Sequence, residues 1–302
     1  MQRAERSMQL VDQLDAHQID VSVHWSPDDS RIVAGAAFPT SVWSAASGRP
    51  LHSIVGSYAN WSHDGKYLAS KYNDPVSIWD GDSYSLIGQN DKLGFGLLRA
   101  WNPVDYRLAG VGPDSLWVWD VSNDTVIRSS EKLTNHPDSF KAIAWRPDGQ
   151  VIAVGLQNGS LHLIDTQSLK TISKLKPFEG AIHHIAWNPE GTEMAVSAAH
   201  PSIRLVDAAT GEIRHQLEAH AFEVWGLDWS PDGGRLASAG ADGQVIVWDP
   251  RHQRALVSFR LDSEVRSVAW SHDGKKLAAV GQKGMVKLWS AEIGYRLESA
   301  MR

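Results

Sequence analysis

Small-apolar runs follow polar turns at a regular interval along this chain. One phrase returns seven times: a Trp, a short polar turn, then a run rich in Ala, Val, Ile and Leu. Copies begin at Trp25, Trp61, Trp101, Trp145, Trp187, Trp229 and Trp270. From those numbers, successive copies stand 36, 40, 44, 42, 42 and 41 residues apart. A second phrase follows each Trp about 18 residues on and ends at Ser44, Asp80, Asp120, Asp165, Asp207, Asp249 and Ser290. These runs are short and carry β-branched and aromatic residues, which predicts strands. The 3.6-residue apolar spacing of helical repeats is absent. A period near 40–45 residues matches the four-stranded blade of a β-propeller. The predicted fold is all-β: a seven-bladed propeller with four antiparallel strands per blade.

The turn after each Trp has a physical basis. Pro presets φ at the second turn position, Asp caps the turn, and Gly takes the φ > 0 position. Pro147-Asp148-Gly149 and Pro231-Asp232-Gly233 show the full form. His63 and His272 replace Pro in two copies. Asp29 replaces Gly in the first, a tolerable exchange because Asp enters the left-handed region. The third copy, Pro103-Val104-Asp105, departs most.

Composition narrows the function. The 302 residues include 14 Trp, which need a large, regular core, and no Cys, which excludes disulfides and thiolate metal sites. A Cys-free chain fits a reducing cytosol, and a cytoplasmic location is expected, although a secreted protein can also lack Cys. The polar start of the chain does not read as a signal peptide, and no apolar run is long enough to span a membrane. A net charge of -6 argues against a general nucleic-acid binder.

With both phrases and the turn in place, the chain resembles the WD-repeat β-propeller family over nearly its whole length. Trp-Asp itself occurs at Trp79-Asp80, Trp119-Asp120 and Trp248-Asp249. The sixth copy matches best, with His220, Ser238, Asp242 and Trp248. The resemblance implies that these four form a structural hydrogen-bonded chain: Asp to His, His to Ser, Ser to the indole. It implies that chain only in this copy. Val154 and Val196 stand where Ser would be, and Lys283 where Asp would be. The repeats also look like those of bacterial multidomain signalling proteins. Residues 1–302 are expected to form one domain. A ring must close on itself, and Met8–Leu14 is expected to supply the outer strand of the seventh blade; the tail Tyr295–Met301 is the rival.

No catalytic, cofactor or metal site is predicted. Gly-x-Ser-x-Gly, His-Glu-x-x-His, Cys-x-x-Cys and phosphate-cradling Gly loops are all missing. The adjacent His183 and His184 point to opposite faces of a strand and chelate one ion poorly. His220, Ser238 and Asp242 are the residue types of a hydrolytic triad, but the family arrangement uses them structurally.

The resemblance implies that partners dock on the top face, where loops lead into the innermost strands. Trp225, Lys141, Arg266, Glu223, His183, Phe95 and Tyr72 are expected at that mouth. Aromatics and Arg are the types enriched in interface hot spots. Trp225 has two readings: an exposed anchor, or a ring packed over its own blade. The expected function is a protein-interaction scaffold or sensor module binding a protein segment or peptide, as part of a larger assembly. The alternative is an enzyme built on a propeller, for which no converging catalytic cluster is evident.

Overall fold

The computed structural model describes residues 6–9, 22–35, 40–71, 75–93, 99–112, 115–129, 132–133 and 140–291. Among them, twenty-eight strands form seven four-stranded antiparallel sheets. Each sheet is one blade of a seven-bladed β-propeller. Blades one to six take four strands consecutive in sequence. The repeat-leading Trp ends the innermost strand every time: Ser22–Trp25, Ser57–Trp61, Arg99–Trp101, Phe140–Trp145, Ile182–Trp187, Val224–Trp229 and Val265–Trp270. All seven of these Trp are buried, as are the small-apolar runs on the second strands.

The turns follow the predicted chemistry. Gly65, Gly149, Gly191, Gly233 and Gly274 all have positive φ, which a side chain resists. Asp29 takes the same conformation with φ 56. Its carboxylate then does something Gly cannot. Oδ1 accepts the His272 N–H at 2.7 Å and Oδ2 accepts the Asp273 N–H at 2.8 Å. The first blade is thereby clasped to the seventh.

The seventh blade joins both ends of the chain. Its strands Val265–Trp270, Lys276–Gly281 and Met285–Ser290 are completed by Arg6–Gln9, antiparallel to the third, with Arg6 opposite Leu288 and Gln9 opposite Met285. The closing strand thus comes from the N-terminal segment; its described part, Arg6–Gln9, includes Met8 and begins two residues before it. Residues 10–14 and the rival tail lie outside the described residues.

The seams between blades are held in a repeated way. An innermost strand is the edge of its sheet, so its outward carbonyls have no strand partner. At five seams the Trp indole supplies the donor. Trp25 Nε1 donates to the Ala269 carbonyl at 3.0 Å, and Trp101 Nε1 to that of Asn60 at 3.1 Å. Trp145 reaches Ala100 at 2.8 Å, Trp187 reaches Ala144 at 3.4 Å, and Trp229 reaches Ala186 at 3.1 Å. Each acceptor immediately precedes the Trp of the neighbouring blade. Two seams differ. Trp61 Nε1 has no partner, and the Arg31 guanidinium lies 4.6 Å from its ring centre instead. Trp270 Nε1 also has none; there the Asp228 carboxylate accepts the Trp270 backbone N–H at 2.7 Å.

Two consequences are measurable by denaturant unfolding. Trp187→Ala, which empties a buried site, is expected to cost roughly 3–5 kcal/mol. Trp→Phe keeps most of the burial but removes the indole donor. At Trp145 or Trp229 it should cost about 1–3 kcal/mol more than at Trp61 or Trp270, because a buried carbonyl is left unpaired. Equal costs at all four positions would refute the seam argument.

Candidate functional site

The top face gathers five of the seven predicted mouth residues. Trp225 lies near the start of the innermost strand of blade six. The equivalent strands of blades five and seven flank it. His183 from blade five stacks on its ring, with centroids 4.1 Å apart and planes within 6°. The Arg266 guanidinium from blade seven sits 4.2 Å from the ring centre. Because blade six lies between the other two, the ring is sandwiched, with a cation on one face and an imidazole on the other. Arg266 is in turn held by Glu264 Oε2 at 2.6 Å from Nη2. His183 titrates below the ordinary range. Burial is the main cause and the Arg266 and Lys141 charges add to it, while Glu223 and the Val224 backbone oppose. Lys141 and Glu223 therefore stand within electrostatic reach of the sandwich. Tyr72 and Phe95 lie outside the described residues.

Both readings of Trp225 need amendment. The ring spans three blades, so it is not packed over its own blade alone. Neither of its faces is free to anchor a partner. What the sandwich leaves unsatisfied is polar: Trp225 Nε1, His183 Nδ1, and Arg266 Nε and Nη1 are buried with no hydrogen-bond partner. The free apolar surface is next door. Phe222, in the loop leading into the same strand, is 64% exposed, the highest value among the large apolar side chains of the described residues. Nothing in the repeat phrase marks Phe222, because it lies in the variable loop ahead of the strand. A large aromatic in that loop was the available signal.

The four residues of the sixth repeat form the implied chain. Asp242 lies 3.0 Å from His220 Nδ1, His220 Nε2 lies 2.7 Å from Ser238 Oγ, and Trp248 Nε1 donates to Ser238 Oγ at 2.8 Å. With Nδ1 protonated toward the carboxylate, Nε2 accepts the Ser hydroxyl proton. Burial lowers the His220 pKa against the pull of Asp242, so the imidazole is neutral. Asp242 also accepts the Ala221 N–H at 2.9 Å, tying the top loop to the blade. Ser238 is fully buried and committed to Trp248, which leaves it no aim at a cleft. Half of this chain recurs in blade two, where the sequence pattern did not promise it. Trp79 Nε1 donates to Ser70 Oγ at 2.8 Å, and Ser70 passes its proton to the Val55 carbonyl at 2.9 Å. A backbone carbonyl has replaced His, which no side-chain motif can reveal.

His184 turns away from its neighbour. It lies near enough to His24 of blade one for its charge to depress His24, and only the central channel brings those two blades together. Burial holds both imidazoles down, to about 4, although His184 keeps an exposed surface. Asp228 is raised by burial to about 7, against the hydrogen bonds from the Trp270 and Trp229 backbones. Among the described residues no group of three or more His, Asp or Glu is disposed to hold a metal ion. No helix among them is long and apolar enough to cross a membrane.

Seven four-stranded blades closed by a strand from the other end of the chain define a β-propeller. Comparison with known proteins refines this class. The WD domain, G-beta repeat family matches residues 211–249 and 256–290, and the anaphase-promoting complex subunit 4 WD40 domain matches 114–181 and 176–224. With the fold, these matches place the chain in the WD40-repeat β-propeller family. Residues 36% of the chain in extent are 30% identical to a WD repeat-containing protein 26 homolog of Arabidopsis thaliana, over 117 residues. An intraflagellar transport protein 122 homolog of Mus musculus is 25% identical over 158 residues, 49% of the chain, and that of Homo sapiens 27% over 151 residues, 47% of the chain. The chain spans only 19%, 12% and 11% of these relatives, respectively. All three are eukaryotic, so the expected likeness to bacterial multidomain proteins finds no support in them. WD40-repeat proteins are generally non-enzymatic scaffolds.

The channel groups set a pH dependence. A His with a depressed folded pKa binds its proton more weakly than in the unfolded chain. His24 and His184 therefore withdraw stability as pH falls from 6.5 toward 4. Asp228 acts oppositely: its contribution is full below 3.8 and is lost as pH rises to about 7. Asp228→Asn keeps an acceptor for Trp270 without the charge. Its denaturant midpoint should exceed the parent's by an amount that is near zero at pH 4, grows with pH, and levels off above pH 7. A pH-independent difference would rule out titration of Asp228 as the cause.

Proposed function

We propose that this chain is a non-catalytic interaction module, a scaffold or sensor element of a multiprotein assembly, that takes a protein segment or peptide on the top face of blades four to seven. The observation that supports it is the His183–Trp225–Arg266 sandwich, whose buried donors lack partners, with Phe222 exposed three residues ahead of Trp225 in the chain. An apolar side chain of the partner covers Phe222, while its carbonyl or carboxylate oxygens reach Lys141 and Arg266 and a donor of the partner reaches Glu223. Such mixed chemistry orients a partner through charge and holds it through apolar burial. Tyr72 and Phe95 belong to the same proposed face. The relatives fit this reading, since one is an intraflagellar transport protein and a matched domain is named for an anaphase-promoting complex subunit. We place the protein in the cytoplasm, which its lack of Cys favours.

The test begins with identifying a partner by affinity capture with the intact chain. Binding is then compared among the parent, Phe222→Ala and Lys141→Ala. Phe222→Ala should weaken binding by about 2 kcal/mol or more with an unchanged melting temperature. Lys141→Ala should act less, chiefly on the salt dependence of association. Trp225→Ala should weaken binding and also lower the melting temperature, because it opens the sandwich. Unchanged affinity in Phe222→Ala and Lys141→Ala would move the site to the outer edges or the opposite face.

A further inference from the structure

The residue two positions before each repeat-leading Trp is apolar in six blades: Val23, Ala59, Ile143, Ile185, Leu227 and Val268. In blade three it is Arg99. Arg99 opens the described part of that blade's innermost strand, Arg99–Trp101, lying between those of blades two and four. The guanidinium Nε, Nη1 and Nη2 are all buried, and none has a hydrogen-bond partner. No carboxylate among the described residues pairs with Arg99. Burial lowers its pKa only to about 10, so it stays charged at neutral pH. A buried guanidinium with five unmet N–H groups is among the costliest arrangements in a protein interior.

The facing strand of blade two shows two more departures. Tyr58, close enough to Arg99 to influence it electrostatically, has φ 54 at an irregularity between Ser57 and Asn60. Positive φ in a residue with a large side chain is strained, and such strain gathers at binding sites. Asn60 Oδ1 is buried with no donor. A half-turn of that amide presents Nδ2 in its place, and the two orientations are alike in shape. Arg99 and Asn60 sit on either side of a seam already fixed by the Trp101 indole on the Asn60 carbonyl.

We propose that the seam between blades two and three holds a small oxyanion, a carboxylate or phosphate group, forked by Arg99 with the Asn60 amide as second donor. The guanidinium fork matches the two oxygens of either group, and the missing counter-charge is supplied by the ligand. This site is separate from the top-face sandwich and does not rest on it.

The test is thermal melting of the full chain in chloride, inorganic phosphate and acetate at matched ionic strength and pH. The parent should show a saturable rise of a few degrees in phosphate, acetate or both, as expected for a ligand of the folded state. Arg99→Met should show none, and in chloride alone should melt above the parent, since a buried unpaired charge becomes an apolar group like its six counterparts. Arg99→Lys should keep part of the rise, having charge without the fork. A response to phosphate alone assigns a phosphate ligand; one to acetate alone assigns a carboxylate. Should Arg99→Met not fold, calorimetric titration of the parent with phosphate and with acetate decides the matter. Melting that follows ionic strength only, no saturable heat with either anion, or an equal rise in Arg99→Met would overturn the proposal.

Discussion

The structure depends on one recurrent hydrogen bond, from a Trp indole to a backbone carbonyl, made across five of the seven seams. Every blade presents the unpaired edge of its innermost strand to the channel, and an edge carbonyl left dry is costly. The indole answers that need while its rings fill the wedge between adjacent sheets. One side chain therefore solves packing and polarity together, which is why the chain can be rich in Trp without exposing it. Trp145 and Trp229 do this with good geometry, whereas Trp187 at 3.4 Å is marginal. Where the bond is absent, another cation or carboxylate takes the seam: Arg31 over Trp61, and Asp228 on the Trp270 backbone.

Those substitutions connect the scaffold to its unusual chemistry. A carboxylate drawn into the seam of blades six and seven loses water and rises toward neutrality. A sequence of seven equivalent Ala-Trp steps would hold the ring and leave the channel apolar. This chain instead places His24, Asn60 and Asp228 at three of the seven acceptor positions. At His24 and Asp228 the departure coincides with a missing indole bond, from Trp61 and Trp270 respectively, whereas Asn60 keeps its carbonyl on the Trp101 indole and changes only the side chain beside the seam.

The architecture was legible because it is periodic. Seven Trp phrases with a constant partner phrase leave a blade as the only unit that fits, and the Gly of each turn follows from its φ. The His220–Ser238–Trp248 chain was legible for the same reason, each residue having a fixed place in the repeat. What escaped notice was whatever the backbone supplied. Ser70 in blade two uses the Val55 carbonyl where His would stand, and a carbonyl leaves no trace in a sequence. Asp29 looked like a tolerated stand-in for Gly. Its role as a clasp needs the His272 and Asp273 amides, 243 and 244 residues away in sequence. The sequence pointed to the N-terminal segment as the closing strand, but its pattern did not mark Arg6 and Ser7, which pair with Leu288 and Lys287 through the backbone.

The top-face residues show what counting along a repeat leaves open. Counting back from each Trp brought Trp225, His183 and Arg266 to the same mouth, and they do meet. Counting could not show that they meet each other. A Trp ring pressed between an imidazole and a guanidinium has little face to offer, so its value to a partner lies in holding two charged or titratable neighbours rigid and partly dry. Rigid, partly desolvated donors lose little entropy when an acceptor arrives. In the proposed reading the apolar contact falls to Phe222, exposed in the loop ahead of the strand. Binding there would be divided between a preorganised polar sandwich, whose members stand at fixed offsets from the repeat-leading Trp, and an exposed aromatic in a variable loop that no offset marks.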